Sequence, residues 1–288
     1  MTDIVKDLQT SSSLPQLYGG CSLKTLQNVV SVKCANEVLN DFDFIELIGQ
    51  GGFGTVMKAK NKTTNELVAI KVLPLSQNAL NEALVLATLK HQNIVEIQTI
   101  YLGEEYLFIV QELCDCSLAD RSFSMLEITQ ITFQMLSALD YIHSQGLVHR
   151  DIKPENVMVK STQTGLQVKI IDFGIAAEVS TLASLQRPAG TNYYLAPEVI
   201  NNSYDCKADI WSLGILLLFL INKELPFRST SQRNIFQEII NFSPSTLNFR
   251  DSVDQGFQHL LHSFLEKNPT RRLSAKAALL EPIFKASR

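Results

Sequence analysis

The residues VHRDIKPENVMV, Val148 to Val159, decide how the rest of the chain reads. Between His149 and Asn156 they bring together an imidazole, a guanidinium, a carboxylate, an ammonium and an amide. Apolar residues stand on both sides, Leu147-Val148 before and Val157-Met158-Val159 after. Polar groups bracketed in this way point to a loop projecting from buried strands rather than to a solvated helix face. Pro154 agrees, because proline fixes φ and breaks a helix. The alternative is a surface loop with a chance mixture of charges, and the rest of the chain has to be weighed against it.

With 288 residues, 45% hydrophobic and 19% charged, the chain has the size and composition of an ordinary soluble protein with a substantial core. A net charge of −4 gives no reason to expect a nucleic-acid or membrane-surface binder, which usually carry a concentrated basic patch. The five cysteines, Cys21, Cys34, Cys114, Cys116 and Cys206, form no framework, so reduced thiols in a cytoplasmic setting are expected, the nucleus being a second option. Cys114 and Cys116 make a lone C-x-C with no second pair at zinc spacing. The N-terminal MTDIVKDLQT carries acids and lacks the apolar run of a secretion signal. IWSLGILLLFLI (210–221) is too short to span a bilayer and reads as a buried helix.

Outward from the opening stretch, the periodicity divides the chain. Residues 1–41 sustain neither a helical nor a strand period, apart from one possible edge strand at 26–32, and are expected to form an extension that is partly disordered or packs late. From Phe42, FDFIELIGQ, TVMKAK, ELVAIKVL, NIVEIQTIYL and EYLFIVQEL read as short strands with hairpin-like links, which implies an antiparallel sheet. One helix interrupts them, with Leu80, Ala83, Leu84, Ala87 and Leu89 near the i, i+3, i+4 spacing. Beyond Ser117 the chain turns helical: first MLEITQITFQMLSALDYIHSQG, with Gly146 as its stop, then 207–222, 231–241, 253–266 and 274–281. VKIIDFG adds a short strand and turn. The expected class is α+β with two lobes, a small antiparallel sheet lobe with one helix (42–113) and a larger, mostly helical lobe (117–285). A cleft between lobes is a favoured ligand site.

Gly49-Gln50-Gly51-Gly52-Phe53-Gly54-Thr55-Val56 lies between two predicted strands. Glycines let backbone N–H groups approach phosphate oxygens with no Cβ in the way. A dinucleotide fingerprint would need a helix directly after the glycines, and TVMKAK is strand-like. A merely flexible hairpin stays open on this motif alone. Lys71 ends an apolar strand, where an ammonium needs a counter-charge. Glu82, eleven positions later on the next helix, can supply it and turn the lysine toward the α- and β-phosphates of a nucleotide. Asp151 and Asp172 place two carboxylates on separate loops, one to accept a hydroxyl proton and one to bind a metal, as phosphoryl transfer requires. Mg²⁺ takes one or two carboxylates besides phosphate and water, a demand that Asp172 and the amide oxygen of Asn156 fit.

Taken together, GQGGFGTV (49–56), VAIK (68–71), Glu82, HRDIKPEN (149–156), DFG (172–174), APE (196–198) and DIWSLG (209–214) resemble a eukaryotic-type protein kinase over about 42 to 285. The resemblance implies ATP and Mg²⁺ as cofactors and a protein substrate with a Ser/Thr acceptor, the D-x-K of Asp151 and Lys153 being similar to serine/threonine kinases. It makes Asp151 the catalytic base and Lys153 the lysine that steadies the γ-phosphate. Asn156 and Asp172 become the metal ligands, and Lys71 with Glu82 the phosphate-holding pair. Ile48, Val56, Ala69 and Met158 would sandwich the adenine beneath the loop Gly49 to Gly54, which includes Gln50 and Phe53. Glu112 to Cys114 would be the hinge and Gln111 the guard of the back pocket. Leu86, Ile97, His149 and Phe173 would stack as a column, Glu198 and Arg272 pair in the core, Asp209 anchor the catalytic loop, and Thr191 bond to it. For all the apolar positions ordinary core packing holds as well.

The chain departs from the family in three places. The Lys71 to Glu82 interval is short, so the link before the helix is trimmed. Arg187-Pro188 occupy the usual primary activation site, with Ser180, Thr181 and Ser184 upstream and Arg150 able to pair a phosphate there. Asp115, Ser117 and Asp120 all stand as candidates for the ribose. Two other functions compete with a kinase. A kinase-fold scaffold would be expected to have lost Lys71, Asp151, Asn156 or Asp172, and all four are present. A small-molecule phosphotransferase is disfavoured by GTNYYLAPE (190–198), a segment of the kind that seats a peptide.

Overall fold

The ten residues from Phe42 to Gly51 form a strand although most of them are exposed, because one side of the strand pairs with the segment that follows it, Gly54–Asn61. The computed structural model describes residues 23–51, 54–163, 165–179, 192–201, 203, 205–247, 249 and 253–285. Residues 1–22 of the expected extension, Gly52 and Phe53 of the glycine loop, and Ser180, Thr181, Ser184, Arg187, Pro188 and Thr191 lie outside the described residues. The chain divides into two compact units. The first comprises the described residues up to Lys90 with Ile94–Cys114 and Asp172–Gly174, and the second the remainder.

In the first unit a helix α1 (Leu23–Gln27) precedes strand β1 (Ser31–Cys34), and a one-turn helix α2 (Val38–Asp41) follows. Then come β2 (Phe42–Gly51), β3 (Gly54–Asn61), β4 (Leu67–Pro74), helix α3 (Gln77–Thr88), β5 (Ile97–Leu102) and β6 (Tyr106–Glu112). The sheet runs β1-β5-β6-β4-β3-β2. All five strands read from the sequence are present and pair antiparallel. The edge strand expected over 26–32 begins at Ser31 and pairs with β5 in parallel, Val32 opposite Ile100. Residues 23–27 are helical instead, and the N–H groups of Val29 and Val30 close on the Leu26 carbonyl, which turns the chain before the strand starts.

Side chains alternate across a strand, so the sheet offers two apolar faces. Val68, Ile70 and Val72 of β4 pack with Ala59, Tyr101, Phe108 and Val110 against Ala35, Val38 and Phe42. Residues 35–41, placed by the sequence in a loose extension, are therefore partly core, with Ala35 and Val38 fully buried. Helix α3 starts where Ser76 caps the Ala79 N–H at 3.2 Å, two residues past the end of β4. That is the trimmed link. Its buried face is Ala79, Leu80, Glu82, Ala83, Leu86 and Ala87. Leu84, expected in the apolar stripe, is half-buried, and Leu86 takes the inward position.

The second unit is built on helix α4 (Met125–Ser144), whose first turn carries a reciprocal capping box between Ser124 and Glu127. Ile128, Ile131, Met135, Leu136, Leu139 and Ile142 are buried as their spacing predicts, and the chain turns off at Gly146 with φ +73°. A short strand β7 (Cys116–Ser117) lies before this helix; β8 (Leu147–Val148), β9 (Val157–Thr162), β10 (Gly165–Ile170) and β11 (Ala177–Glu178) follow it. These make a three-stranded sheet β10-β9-β7 and a pair β11-β8, so HRDIKPEN (149–156) does leave one strand and enter another. Helices α5 (Pro197–Ile200), α6 (Lys207–Asn222), α7 (Gln232–Asn241), α8 (Gln255–Phe264) and α9 (Ala275–Ala278) complete the unit. Helix α6 contains IWSLGILLLFLI and is buried almost all round. Among the described residues no helix is long and apolar enough to cross a membrane.

A polar knot ties α4 to β10. Asn93 Nδ2 donates to Gln134 Oε1 at 2.7 Å and to the Val168 carbonyl at 2.9 Å. Gln134 Nε2 in turn donates to the Leu166 carbonyl. His91 stacks on Tyr141 at 5.3 Å; its Nδ1 accepts from the Asn93 N–H at 3.0 Å, and Nε2 lies 3.1 Å from Ser137 Oγ. Nδ1 as an acceptor requires the neutral ring. Burial, with Lys169 nearby, holds the His91 pKa below its ordinary value near 6.5. The unfolded chain then binds more protons than the folded one between the folded pKa and about 6.5, so stability falls as pH drops through that window. Urea titrations from pH 7.5 downward should show this loss in the native protein and a flatter profile in His91→Gln. Parallel profiles for the two would remove His91 as its source.

Candidate active site

The first unit supplies a cluster of three charges. Lys71 on β4 donates to Glu82 Oε1 on α3 at 2.6 Å and to Asp172 Oδ1 at 3.1 Å. Val56 stands opposite Lys71 in the ladder and Gln111 opposite Ala69, so strand register alone lines up these positions. Burial pushes the Lys71 ammonium down, but the two carboxylates outweigh it and hold its pKa above the usual lysine value. Burial also raises the Glu82 carboxyl, against the pull of Lys71. One cation faces two anions, which leaves the cluster net negative and suited to a further cation. Asp172 holds this place at φ +63°, a left-handed conformation that costs about 1–3 kcal/mol in a residue with a Cβ. Its Oδ1 also accepts from Gly174 N at 3.4 Å.

The glycine hairpin closes between Gly51 and Gly54, which pair across β2 and β3. Only one of its described glycines is required by the fold itself. A Cβ on Gly54, at φ +145°, would stand 2.3 Å from the Val72 carbonyl oxygen, whereas one on Gly49 would make ordinary contact with Val56 and one on Gly51 would meet open space. At those two positions the fold itself leaves room for a side chain. Ile48 is 45% exposed and Gln50 exposed, Val56 half-buried and Ala69 buried. Gln111 is buried, while Glu112 and Cys114 are half-buried. The Glu112 N–H is used by the Glu96 carbonyl, and Glu112 Oε1 accepts from the Glu96 N–H. Leu86, Ile97 and Phe173 of the expected column are buried in this unit.

The second unit holds Asp151, Lys153, Asn156, Met158 and His149. Asp151 Oδ2 accepts from Lys153 Nζ at 2.7 Å and from Asn156 Nδ2 at 2.9 Å, and the same amide nitrogen donates to the Asp151 carbonyl at 2.9 Å. The amide nitrogen of Asn156 is thus spent on Asp151, which leaves Oδ1 as the acceptor atom the side chain can turn elsewhere. His149 is fully buried; Nδ1 accepts from the Asp151 N–H at 3.3 Å and Nε2 faces the Ile171 carbonyl at 3.1 Å. Both ring nitrogens serve the loop's shape, so the imidazole is a structural contact here.

Asp209, on the first turn of α6, organises the loop from below. Its carboxylate accepts from the N–H groups of His149 (3.0 Å) and Arg150 (2.9 Å) and contacts His143 Nε2 at 2.9 Å. Burial would raise its pKa, yet these partners hold it below the usual carboxylate range. The N–H contact also fixes Arg150 at φ +73°, with its guanidinium donating to the Ile175 carbonyl. Sequence reasoning missed His143 and Gln134. Each stands at helical spacing from a buried apolar residue, Gln134 three after Ile131 and His143 four after Leu139, a spacing that flags an inward polar group. Of the ribose candidates, Asp120 Oδ2 accepts from Ser117 N and Oγ at 2.7 Å each, and Asp115 Oδ2 from Ser161 N at 2.7 Å. Glu198 and Arg272 are joined by two hydrogen bonds in the core, as expected.

Residues 42–284 match the family described as the protein kinase domain. The chain is 36% identical over 263 residues to serine/threonine-protein kinase 10 of Xenopus tropicalis, an alignment covering 85% of this chain and 27% of that protein. It is 33% identical over 260 residues to calcium-dependent protein kinase 6 of Plasmodium berghei (strain Anka), covering 86% and 18%. With serine/threonine-protein kinase dst2 of Dictyostelium discoideum it shares 33% over 258 residues, covering 84% and 22%. The family match takes in every motif set out above, and the chain belongs to the protein kinase family. It spans about a fifth to a quarter of the length of these relatives.

Proposed function

We propose that the protein transfers the γ-phosphate of ATP to serine or threonine hydroxyls of protein substrates. The observation that carries this reading is the setting of Asp151. Its carboxylate is buried, and one oxygen is held by both Lys153 and Asn156. A base fixed in this way needs no reorganisation when it orients an acceptor hydroxyl and takes its proton. Lys153 beside it can follow the transferring phosphoryl group, and its presence two residues after Asp151 favours Ser/Thr over Tyr acceptors. Lys71, charged and steered by Glu82, serves the α- and β-phosphates, and the backbone of the glycine loop, Gly49, Gly51 and Gly54 among it, leaves room for them. The two oxygen donors suited to Mg²⁺ are Asn156 Oδ1 and the Asp172 carboxylate, a hard-donor set that fits the ion. When bound, Mg²⁺ neutralises charge on the phosphates. The protein's own share is positioning and electrostatic stabilisation.

Incubation with labelled ATP, Mg²⁺ and a degenerate peptide library tests the proposal. Label on Ser- and Thr-containing peptides is the expected result, and the acceptor preferences would define the substrate class. Nucleotide binding without transfer to any peptide would overturn it in favour of a scaffold, and transfer to small molecules alone in favour of a different phosphotransferase. A calcium-dependent protein kinase and two serine/threonine-protein kinases match at nearly the same identity, so these matches single out no subfamily.

A further inference from the structure

Residues 23–41 precede the part of the chain that matches the kinase family, and they do not lie beside the sheet passively. They pass around its β5 edge. Helix α1 packs against helix α3, on the face where Lys71 meets Glu82. Strand β1 then extends the edge, pairing with β5 from Ser31 opposite Thr99 to Cys34 opposite Leu102. Ala35 and Val38 finally enter the core on the opposite face, against Val68, Ile70 and Val72. The strap is clasped where it turns over. Lys33 Nζ donates to Asp41 Oδ2 at 2.6 Å, the Tyr101 hydroxyl donates to the same oxygen, and the Tyr101 ring meets Phe42 edge-on at 6.0 Å.

Among the described side chains of α1, one is buried. Leu26 is fully buried, while its described neighbours Lys24, Thr25 and Gln27 are exposed. A five-residue helix has no stability of its own, so its place depends on that anchor. Helix α3 gains correspondingly, because Glu82 can meet Lys71 only when the helix is held close to β4. We infer that Leu26 is a positioning residue, the anchor by which the N-terminal strap holds helix α3 with Glu82 paired to Lys71. The inference deepens the proposed kinase function and rests on it for its effect on catalysis, though not for its effect on the helix. When ATP binds both arrangements alike, turnover scales with the population of the competent one, and when it binds the competent one alone, its apparent affinity falls by the same factor, so kcat/KM for ATP falls in either case.

The test uses the full chain with Leu26→Ala, Leu26→Met and Leu261→Ala. Leu261 is equally buried, but on α8 of the second unit, so it reports a general loss of stability. Amide hydrogen exchange and phosphate transfer to the best library peptide are both measured. In Leu26→Ala, amides of 77–88 should exchange at least roughly tenfold faster while those of β6 keep their protection, because the loss is local. The kcat/KM for ATP should fall by a similar factor, and Leu26→Met should restore both the protection and the rate. Unchanged exchange over 77–88 in Leu26→Ala would overturn the inference, as would equal acceleration there in Leu261→Ala. A native protein that transfers no phosphate would remove the kinase reading alone. The exchange comparison would still decide whether Leu26 holds the helix.

Discussion

Asp151→Asn is expected to lower the turnover of phosphate transfer by roughly 10²–10⁴-fold or more, with little change in ATP affinity. The substitution keeps the size of the side chain and removes its charge. Both neighbours of Asp151 Oδ2 are donors, Lys153 Nζ and Asn156 Nδ2. An amide placed there has to turn its oxygen toward them and its NH₂ toward the acceptor hydroxyl, where a proton must instead be received. The variant thus presents a donor at the one point where the reaction needs an acceptor. Single-turnover transfer at saturating ATP isolates this step, and a nucleotide titration checks binding separately. Near-native turnover in Asp151→Asn would show that another group takes the proton.

Elements whose cause is local were legible in the sequence. Helix α6 was read at 207–222 and occupies those residues, because its apolar run and its length suffice to define it. The Lys71–Glu82 pair was read from a strand-end cation and one helical carboxylate, and the structure adds Asp172 to it. Strand β1 was harder to place. Ser31 is exposed and Val32, Lys33 and Cys34 are half-buried, so its four residues show no alternation, and its partner β5 lies far along the chain. Of the hairpin of β9 and β10 only the apolar ends, Val157 to Val159 and the VKII of 168–171, are legible as strand, since Lys160 to Gln167 is mostly polar and only the strand ends near Val157 and Ile170 are buried. Bonds such as Asn93 to Val168, 75 residues apart, leave no local mark beyond a polar residue among apolar ones.

Arg272→Ala is the second large effect, and it falls on stability. Arg272 is buried beside Trp211, with its guanidinium carbon 5.2 Å from the ring centre. Nη1 and Nη2 each meet one Glu198 oxygen, Nε donates to the Glu266 carbonyl at 2.9 Å, and Nη1 donates to the Lys207 carbonyl at 2.9 Å. Truncation would strand a buried carboxylate and two carbonyls together, which typically costs about 3–5 kcal/mol. For a protein of this size that is a fall in Tm of roughly 6–20 °C. Arg272→Lys should recover only part of the loss, because an ammonium cannot reproduce the planar, two-pronged contact with Glu198. Two charges removed together leave no unpaired buried charge, only the carbonyls, so Glu198→Leu combined with Arg272→Met should unfold at a higher temperature than either single change. Thermal unfolding of the native protein, Glu198→Leu, Arg272→Met and the double variant measures the coupling directly. A double variant no more stable than the singles would mean that the carbonyls of Glu266 and Lys207, rather than Glu198, are what Arg272 chiefly serves.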